Sequence, residues 1–429
     1  MSSSNACRES SNGCDNCLRS GNRAPVWPLE RYVRTGGSPP SARLEWFPSE
    51  STQSLHPWNR MKPLPSSTQP LVILVAGIGG AIGSTLCLAV EALKSSPELV
   101  QPYLTTEGLF PDFPLVDIHV AGWDLPDALD PAAALRRHGV VPIAIQEAFL
   151  PQIASIPVFE APSADLDLNQ ALNRVSRDIQ TIRSRHPNAA LVLVNLLPAA
   201  PQPPSIADRN ALAAWYAAHP ALFPDLVYVL AAIESEIPVV NFTPNAVEMD
   251  WIVDRAIQQG VPMCGRDGKT GQTFYKQVLA SAWKARKLRI TGWYSLNILG
   301  NADGANLMNP ACARGKLANK TEILEEILGY PVLPDCHKVH IDYYPPRGDA
   351  KEAWDVIDFE GLFGLPMSMR IDFQGRDSIL AAPMLMDLAR WMAVLHRKGE
   401  RKGLISELAF FFKKPLGADP PVSFPDQLQ

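Results

Sequence analysis

The chain has 429 residues, 46% of them hydrophobic, and a formal charge of −5 at neutral pH. That length holds a large core and predicts two domains, at roughly 100–200 residues each. The apolar content excludes global disorder, and the lack of a basic excess excludes nucleic acid and an anionic membrane as charge-selected partners.

The 40 prolines stand above the usual ~5% of a chain. They gather in residues 24–70, 151–166, 198–224 and the C-terminal tail, and so mark connections. Seven cysteines, with no signal-peptide pattern, predict a reducing, cytoplasmic setting. Residues 1–66 read as a flexible N-terminal arm that lies on the body around Trp46 and Trp58. Cys7, Cys14 and Cys17 fall in its Ser/Asn-rich leader without a histidine nearby, so a thiol-bearing leader is expected there, and no metal site.

Leu71 to Ala76 is a short apolar run that ends in Gly77, Gly79, Gly80 and Gly83; Ser84 and Thr85 then lead into Leu86, Leu88, Val90 and Leu93. The pattern predicts strand, glycine turn, helix, in which backbone approaches a pyrophosphate and the helix N-terminus offers free N–H groups. The uncharged stretch 71–90 has nearly the length of a membrane span, but four glycines in seven positions and a following Ser-Thr fit a soluble turn better. Val116 to Val120 reads as the second strand, followed by Asp124 of Gly122-Trp123-Asp124 as the acid for the ribose hydroxyls, which favours NAD over NADP. Asp124 follows the glycines at more than the usual ~20 residues, so residues 97–114 must form an excursion.

Pro131 to His138 and Ile143 to Leu150 read as helices, and Leu168, Leu172, Val175, Ile179 and Ile182 mark another with one buried face. Ala190 to Asn195 reads as a strand buried on both faces, and Val239 to Phe242 as a further one. Asn195 and Asn241 then stand at carboxyl ends of strands, where they suit cofactor contacts or helix caps. The whole predicts an α/β fold, a Rossmann-type doubly wound parallel sheet. After Gly265 the texture changes. Gly265 to Thr273 is a polar glycine loop before a helix, and amides, hydroxyls and a helix N-terminus together suit a second phosphate. Residues 297–307 are dense in Asn, Asp and Gly, and Arg314, Lys316 and Lys320 follow, with the two lysines on one face of a helix. That spacing fits a solvated basic face or, beside the polar loops, a site for developing oxyanions. Val339 to Tyr344 reads as a strand, Lys351 to Asp358 as a helix, Met367 to Phe373 as a strand and Asp377 to Leu395 as a long helix, an inserted α+β part.

Taken together, these motifs resemble the myo-inositol-1-phosphate (inositol-3-phosphate) synthase family. The resemblance runs from about residue 71 to the C-terminal region on GIGGAIGST (77–85), GWD (122–124), PVVNFTPN (238–245), GRDGKTGQT (265–273), GNADGANL (300–307), Arg314, Lys316 and Lys320, RGDAK (347–351) and RDSILAAP (376–383). It implies an NAD-binding Rossmann domain over 67–273, a catalytic and tetramerisation α+β domain over 274–380, a C-terminal return to the Rossmann domain over 381–429, and a homotetramer. It also implies an isomerase that cyclises glucose 6-phosphate to inositol phosphate, with NAD recycled in each turnover. By the same resemblance, Lys316 serves the steps at carbons 5 and 6, and Lys320 the phosphate and enolate. Thr270, Gly271 and Gln272 form the phosphate loop, while Asp267, Asn301, Asp303, Asp377 and Ser378 surround NAD and substrate. Lys402 or Arg401 is the nearest candidate for a C-terminal family lysine. One departure stands out: Asp342 occupies a position where the family carries lysine. Either a cation such as Lys338 or Arg347 replaces it, or the substrate differs.

Overall fold

The structure, a computed structural model, describes residues 68–219 and 223–428, and of 314–322 the backbone alone. The expectations for the N-terminal arm lie outside the described residues. A seven-stranded parallel sheet runs in the order β11-β6-β5-β4-β1-β2-β3. Its strands are β1 (Leu71–Ala76), β2 (Ile118–Asp124), β3 (Val158–Glu160), β4 (Ala190–Asn195), β5 (Val239–Asn241), β6 (Pro262–Gly265) and β11 (Gly403–Leu404). β1 pairs on its two sides with β2 and β4, so sheet growth reverses there, the place where such folds bind nucleotides.

β1 is buried along its whole length because helices cover both faces. On one face, Val72, Leu74 and Ala76 pack with Leu172, Val175 and Ile179 of helix Leu168–Arg185 and with helix Asp225–Glu234. On the other lie helix Ala81–Ser95 and the long helix Asp377–Lys398. The latter is the one helix among the described residues long and apolar enough to cross a membrane, but it is mostly buried as a core helix. Its Asp387 accepts from the backbone and hydroxyls of Thr105 and Thr106, and its Arg390 donates to the carbonyls of Thr106, Phe110 and Phe113. Those bonds hold the predicted excursion onto the body.

A second sheet runs β10-β9-β7-β8. It consists of β7 (Arg289–Leu299), β8 (His337–Tyr343), β9 (Ala350–Glu360) and β10 (Pro366–Arg376). β7 and β8 are parallel, and the other pairs are antiparallel. Helices Gln272–Ala285 and Pro310–Leu328 cover one face through Ala280, Trp283, Ile323, Leu324 and Ile327, against Ile290, Trp293 and Ile357.

Three predicted elements need correction. The second strand begins at Ile118, because Pro114 starts a 3-10 turn over Leu115–Asp117. The helix predicted over Ile143 to Leu150 breaks into Ile143–Glu147 and Leu150–Ala154. Lys351 to Asp358 is not a helix but part of β9, a central strand paired on both sides. Its inward positions Lys351, Ala353, Asp355, Ile357 and Phe359 alternate as a strand requires, but a buried aspartate and lysine among them disguise the apolar period.

Candidate functional site

The carboxyl edge of the large sheet is where the predicted residues gather. Gly77 leaves β1 at φ +88°, a conformation costly for other residues. The Gly79 amide donates to Asp124 Oδ2 at 2.6 Å, and a Cβ on Gly79 would lie 2.6 Å from the Ala128 carbonyl oxygen. The helix then starts at Ala81 with Gly80 as its cap and no side chain on its N-terminal amides; Gly83 sits in its first turn. These residues fit a dinucleotide: an uncapped helix end for the pyrophosphate, glycine where a side chain would collide, and a carboxylate at the end of β2 for ribose. Burial raises the Asp124 carboxyl above its ordinary range, opposed by the amides of Leu125 and Gly79.

Other predicted cofactor residues are held differently. Ser84 and Thr85 turn their hydroxyls onto the carbonyls of Gly80 and Ala81 within their own helix. Asn195 and Asn241 do end β4 and β5, but both are buried in a polar network. Asn195 donates to Asp225 Oδ1 at 2.8 Å and to Asn241 Oδ1 at 3.2 Å, while Asn241 donates to the Asn245 carbonyl at 2.7 Å. Burial raises the Asp225 carboxyl, and the side-chain amides of Asn195 and Asn245 oppose it. The two asparagines therefore stitch strand ends to a buried acid instead of presenting amides to a cofactor. Asp225, inside an apolar helix, carried no sequence signal.

The polar loop after β6 shares the same edge. His138 Nε2 lies 3.0 Å from the Gly79 carbonyl oxygen, and Arg376 donates to the Val140 carbonyl at 2.8 Å, which ties the start of the long helix to the glycine turn's neighbourhood. In the loop, Thr270 Oγ1 donates to Asp377 Oδ1 at 2.8 Å, and Lys351 Nζ approaches Asp377 Oδ2 at 3.3 Å. Asp349 accepts from Asn301 at 3.3 Å and Ser378 at 3.2 Å, and burial raises its carboxyl. Asn301 also caps the short helix Ala302–Asn306, whose first turn holds Asp303. Gln272 turns its side chain away, to Asp355 at 2.8 Å, so only its backbone amide is left for an anion.

Lys269 is buried between Gln277, Gln427 and the Phe410 ring, and burial lowers its ammonium to about 7. Asp267, buried, receives Lys413 Nζ at 2.6 Å. Lys413 therefore stands at the loop, and Lys402 does not. Lys402 is exposed and precedes β11, at the edge of the parallel sheet opposite the loops. No sequence motif marks the chain between the long helix and Lys413. Lys316 and Lys320 stand four residues apart on helix Pro310–Leu328. Asp342 is exposed on β8, opposite Ile298 and on the alternate face to inward-packed Ile341. Of its two proposed substitutes, Arg347 pairs with buried Glu352, and Lys338 lies 3.8 Å from the exposed Asp335.

Comparison with known proteins shows what the chain and its fold are similar to. Residues 271–378 match the family model of myo-inositol-1-phosphate synthase. An inositol-3-phosphate synthase 1 of Bacteroides thetaiotaomicron is 42% identical over 199 residues, 45% of this chain and 46% of that protein, so the chain matches about half the length of that relative. One from Populus euphratica is 29% identical over 73% of this chain and 69% of its own. The fold is that of the Caenorhabditis elegans inositol-3-phosphate synthase, with TM-score 0.70, 18% identity and 83% of each chain covered. It is also that of a myo-inositol-1-phosphate synthase-related protein from Thermotoga maritima, with TM-score 0.66, 19% identity, and 82% and 94% covered.

Proposed function

We propose, on the premise that the chain is a divergent member of the myo-inositol-1-phosphate synthase family, that it cyclises D-glucose 6-phosphate to 1D-myo-inositol 3-phosphate with bound NAD, as a cytoplasmic enzyme of inositol and phospholipid synthesis. The observation that carries this reading is the meeting of loop 265–271 with Asp377 and Lys351 at the edge that also holds the glycine turn. Bound NAD would supply a reversible two-electron acceptor for carbon 5. Asp124 holds the ribose hydroxyls, and the turn's bare backbone leaves room for the pyrophosphate. Thr270 and the amides of Gly271 and Gln272 orient the sugar phosphate. Lys316 takes the proton from the carbon-5 hydroxyl, releases it to solvent, and as a free amine again takes one from carbon 6, while Lys320 balances charge on the phosphate and the enolate oxygen. An ammonium among other cations has a lowered pKa, which suits it to carry protons near neutrality. Asp267 fixes Lys413 at the loop, while Asn301, Asp303, Asp377 and Ser378 close the polar wall.

A homotetramer belongs to this reading. Tyr294 and Trp354, exposed at 43% and 45% on the helix-free face of the small sheet, support burial of that face against a second copy. Sedimentation of a single-copy species would count against it.

A second reading, a cyclase or oxidoreductase for another sugar phosphate, is favoured by Asp342, a carboxylate where the resemblance implies a cation, with Arg347 paired to Glu352. The test incubates protein with glucose 6-phosphate and NAD and resolves inositol phosphate by chromatography, with Lys316→Ala as control. Product that vanishes in the control supports the first reading. Bound NAD without product rejects it and directs a screen of other sugar phosphates, with Asp342→Lys tested for recovery of the first activity.

A further inference from the structure

The carboxylate of Asp355 is 1% exposed and receives four donors. Trp293 Nε1 at 2.7 Å and Ser295 Oγ at 2.5 Å reach Oδ1, while Gln272 Nε2 at 2.8 Å and Tyr275 OH at 3.4 Å reach Oδ2. The donors divide between two bodies. Trp293 and Ser295 belong to β7, whose register with β9 places Ser295 opposite Asp355, and β10 flanks β9 on its other side. Gln272 and Tyr275 belong to the first turn of helix Gln272–Ala285, which follows Thr270 and Gly271 without a break. Lys276 continues the same helix face at i+4 from Gln272, lying 5.1 Å over the Trp293 ring and 3.3 Å from His337 Nε2. The cap residue Gly271 offers no side chain to the helix's N-terminal amides.

We infer that Asp355 is the positioning residue of the anion loop, fixing the helix end that presents Thr270 and the first-turn amides to a phosphorylated substrate. The inference rests on the reading of residues 270–272 as the sugar-phosphate site. Asp355 itself lies behind the helix and touches no substrate. Its effect passes through Gln272: a side chain of a phosphate-loop motif is given to the scaffold, so that its backbone can face the anion. Small displacements of an oriented group are enough to weaken a site strongly.

The experiment uses full-length protein and inorganic phosphate as the probe, measured by calorimetry, with NAD affinity and the KM and kcat for glucose 6-phosphate measured on the same preparations. Asp355→Ala is expected to weaken phosphate binding about tenfold and to raise KM by a similar factor, with NAD affinity within about twofold of the parent. Asp355→Asn keeps an acceptor for Trp293 and Ser295 and is expected to recover part of the loss. Should Asp355→Ala fail to fold, Tyr275→Phe and Gln272→Met remove one donor each, and a loss of about threefold confined to phosphate is expected from them. A folded variant with unchanged phosphate affinity overturns the inference, as does a parallel loss of NAD affinity, which would mark a general loosening. A parent protein that binds no phosphate overturns the loop reading and this inference together, and that outcome is distinguished by the parent's own failure.

Discussion

The two loops at the carboxyl edge of the large sheet are built on opposite principles. The turn after β1 consists of closely packed backbone, its Gly79 amide donating to Asp124 and its Gly79 carbonyl facing His138 and Arg137. The loop after β6 consists of side chains already engaged: Asp267 with Lys413, Lys269 with Gln427, Thr270 with Asp377 and Gln272 with Asp355. The first is a receptacle whose shape is local to its sequence. The second takes its shape from residues far along the chain, so its chemistry depends on a folded whole.

The sharpest way to break this contrast is to remove Lys413. Lys413→Ala leaves Asp267 buried without that partner, and a loss of about 3–5 kcal/mol is expected in denaturant titrations, together with loss of turnover. Lys402→Ala should stay within ~0.5 kcal/mol; the reverse result would restore Lys402 to the site. On the other side of the comparison, Gly79→Val forces a side chain against the Ala128 carbonyl and the Asp124 carboxylate. Overpacking of about 1–3 kcal/mol should appear as NAD affinity weakened roughly tenfold to a hundredfold, with inorganic phosphate binding unchanged.

Acidity separates the loops further. Burial lowers Lys269 to about 7 and Lys276 to about 8, whereas an unfolded chain keeps lysine protonated to about pH 10. The unfolded state therefore binds more protons between pH 7 and 10, so stability rises with pH across that window, by at most ~1.4 kcal/mol per unit for each lysine. Thermal midpoints from pH 7 to 9.5 should climb, and Lys269→Met should flatten the slope. The smallest effect is expected at the turn. Asp124→Ala should cost NAD about tenfold, or ~1.4 kcal/mol, while changing the fold's stability little, because the carboxylate lies at a strand end and its loss frees only the amides of Gly79 and Leu125.

What was legible in the sequence follows the same division. The strand-turn-helix at 71–95, the buried strand 190–195 and the long C-terminal helix each carry their signal within a few residues, and the structure has them as read. The glycine turn and Asp124 were legible for that reason. Asp377, the partner of Thr270, was legible in its motif, but two other partners of the loop were not. Lys413 and Asp355 are defined by what they meet across 146 and 83 positions of chain, and nothing local distinguishes them from solvated charges. Asn195 and Asn241 were correctly placed at strand ends, but their use inside a network with Asp225 depends on a helix packed over those ends. β9 was misread for a related reason: a buried aspartate looks exposed until its four donors are known.

The long helix that begins at Asp377 has a consequence for the order in which the molecule is made. It covers one face of β1, β4, β5 and β6, its Asp387 and Arg390 fasten the excursion between the first helix and β2, and β11 pairs with β6 only after it. A ribosome that has delivered most of the large sheet has therefore not yet delivered its cover. The nascent chain carries an apolar, uncovered sheet face through the synthesis of the entire small sheet, and closure waits for contacts separated by some 280 positions. Such long-range closure is slow and exposes the chain to aggregation. Truncation before Asp377 should yield insoluble protein even though every residue of the glycine turn is present.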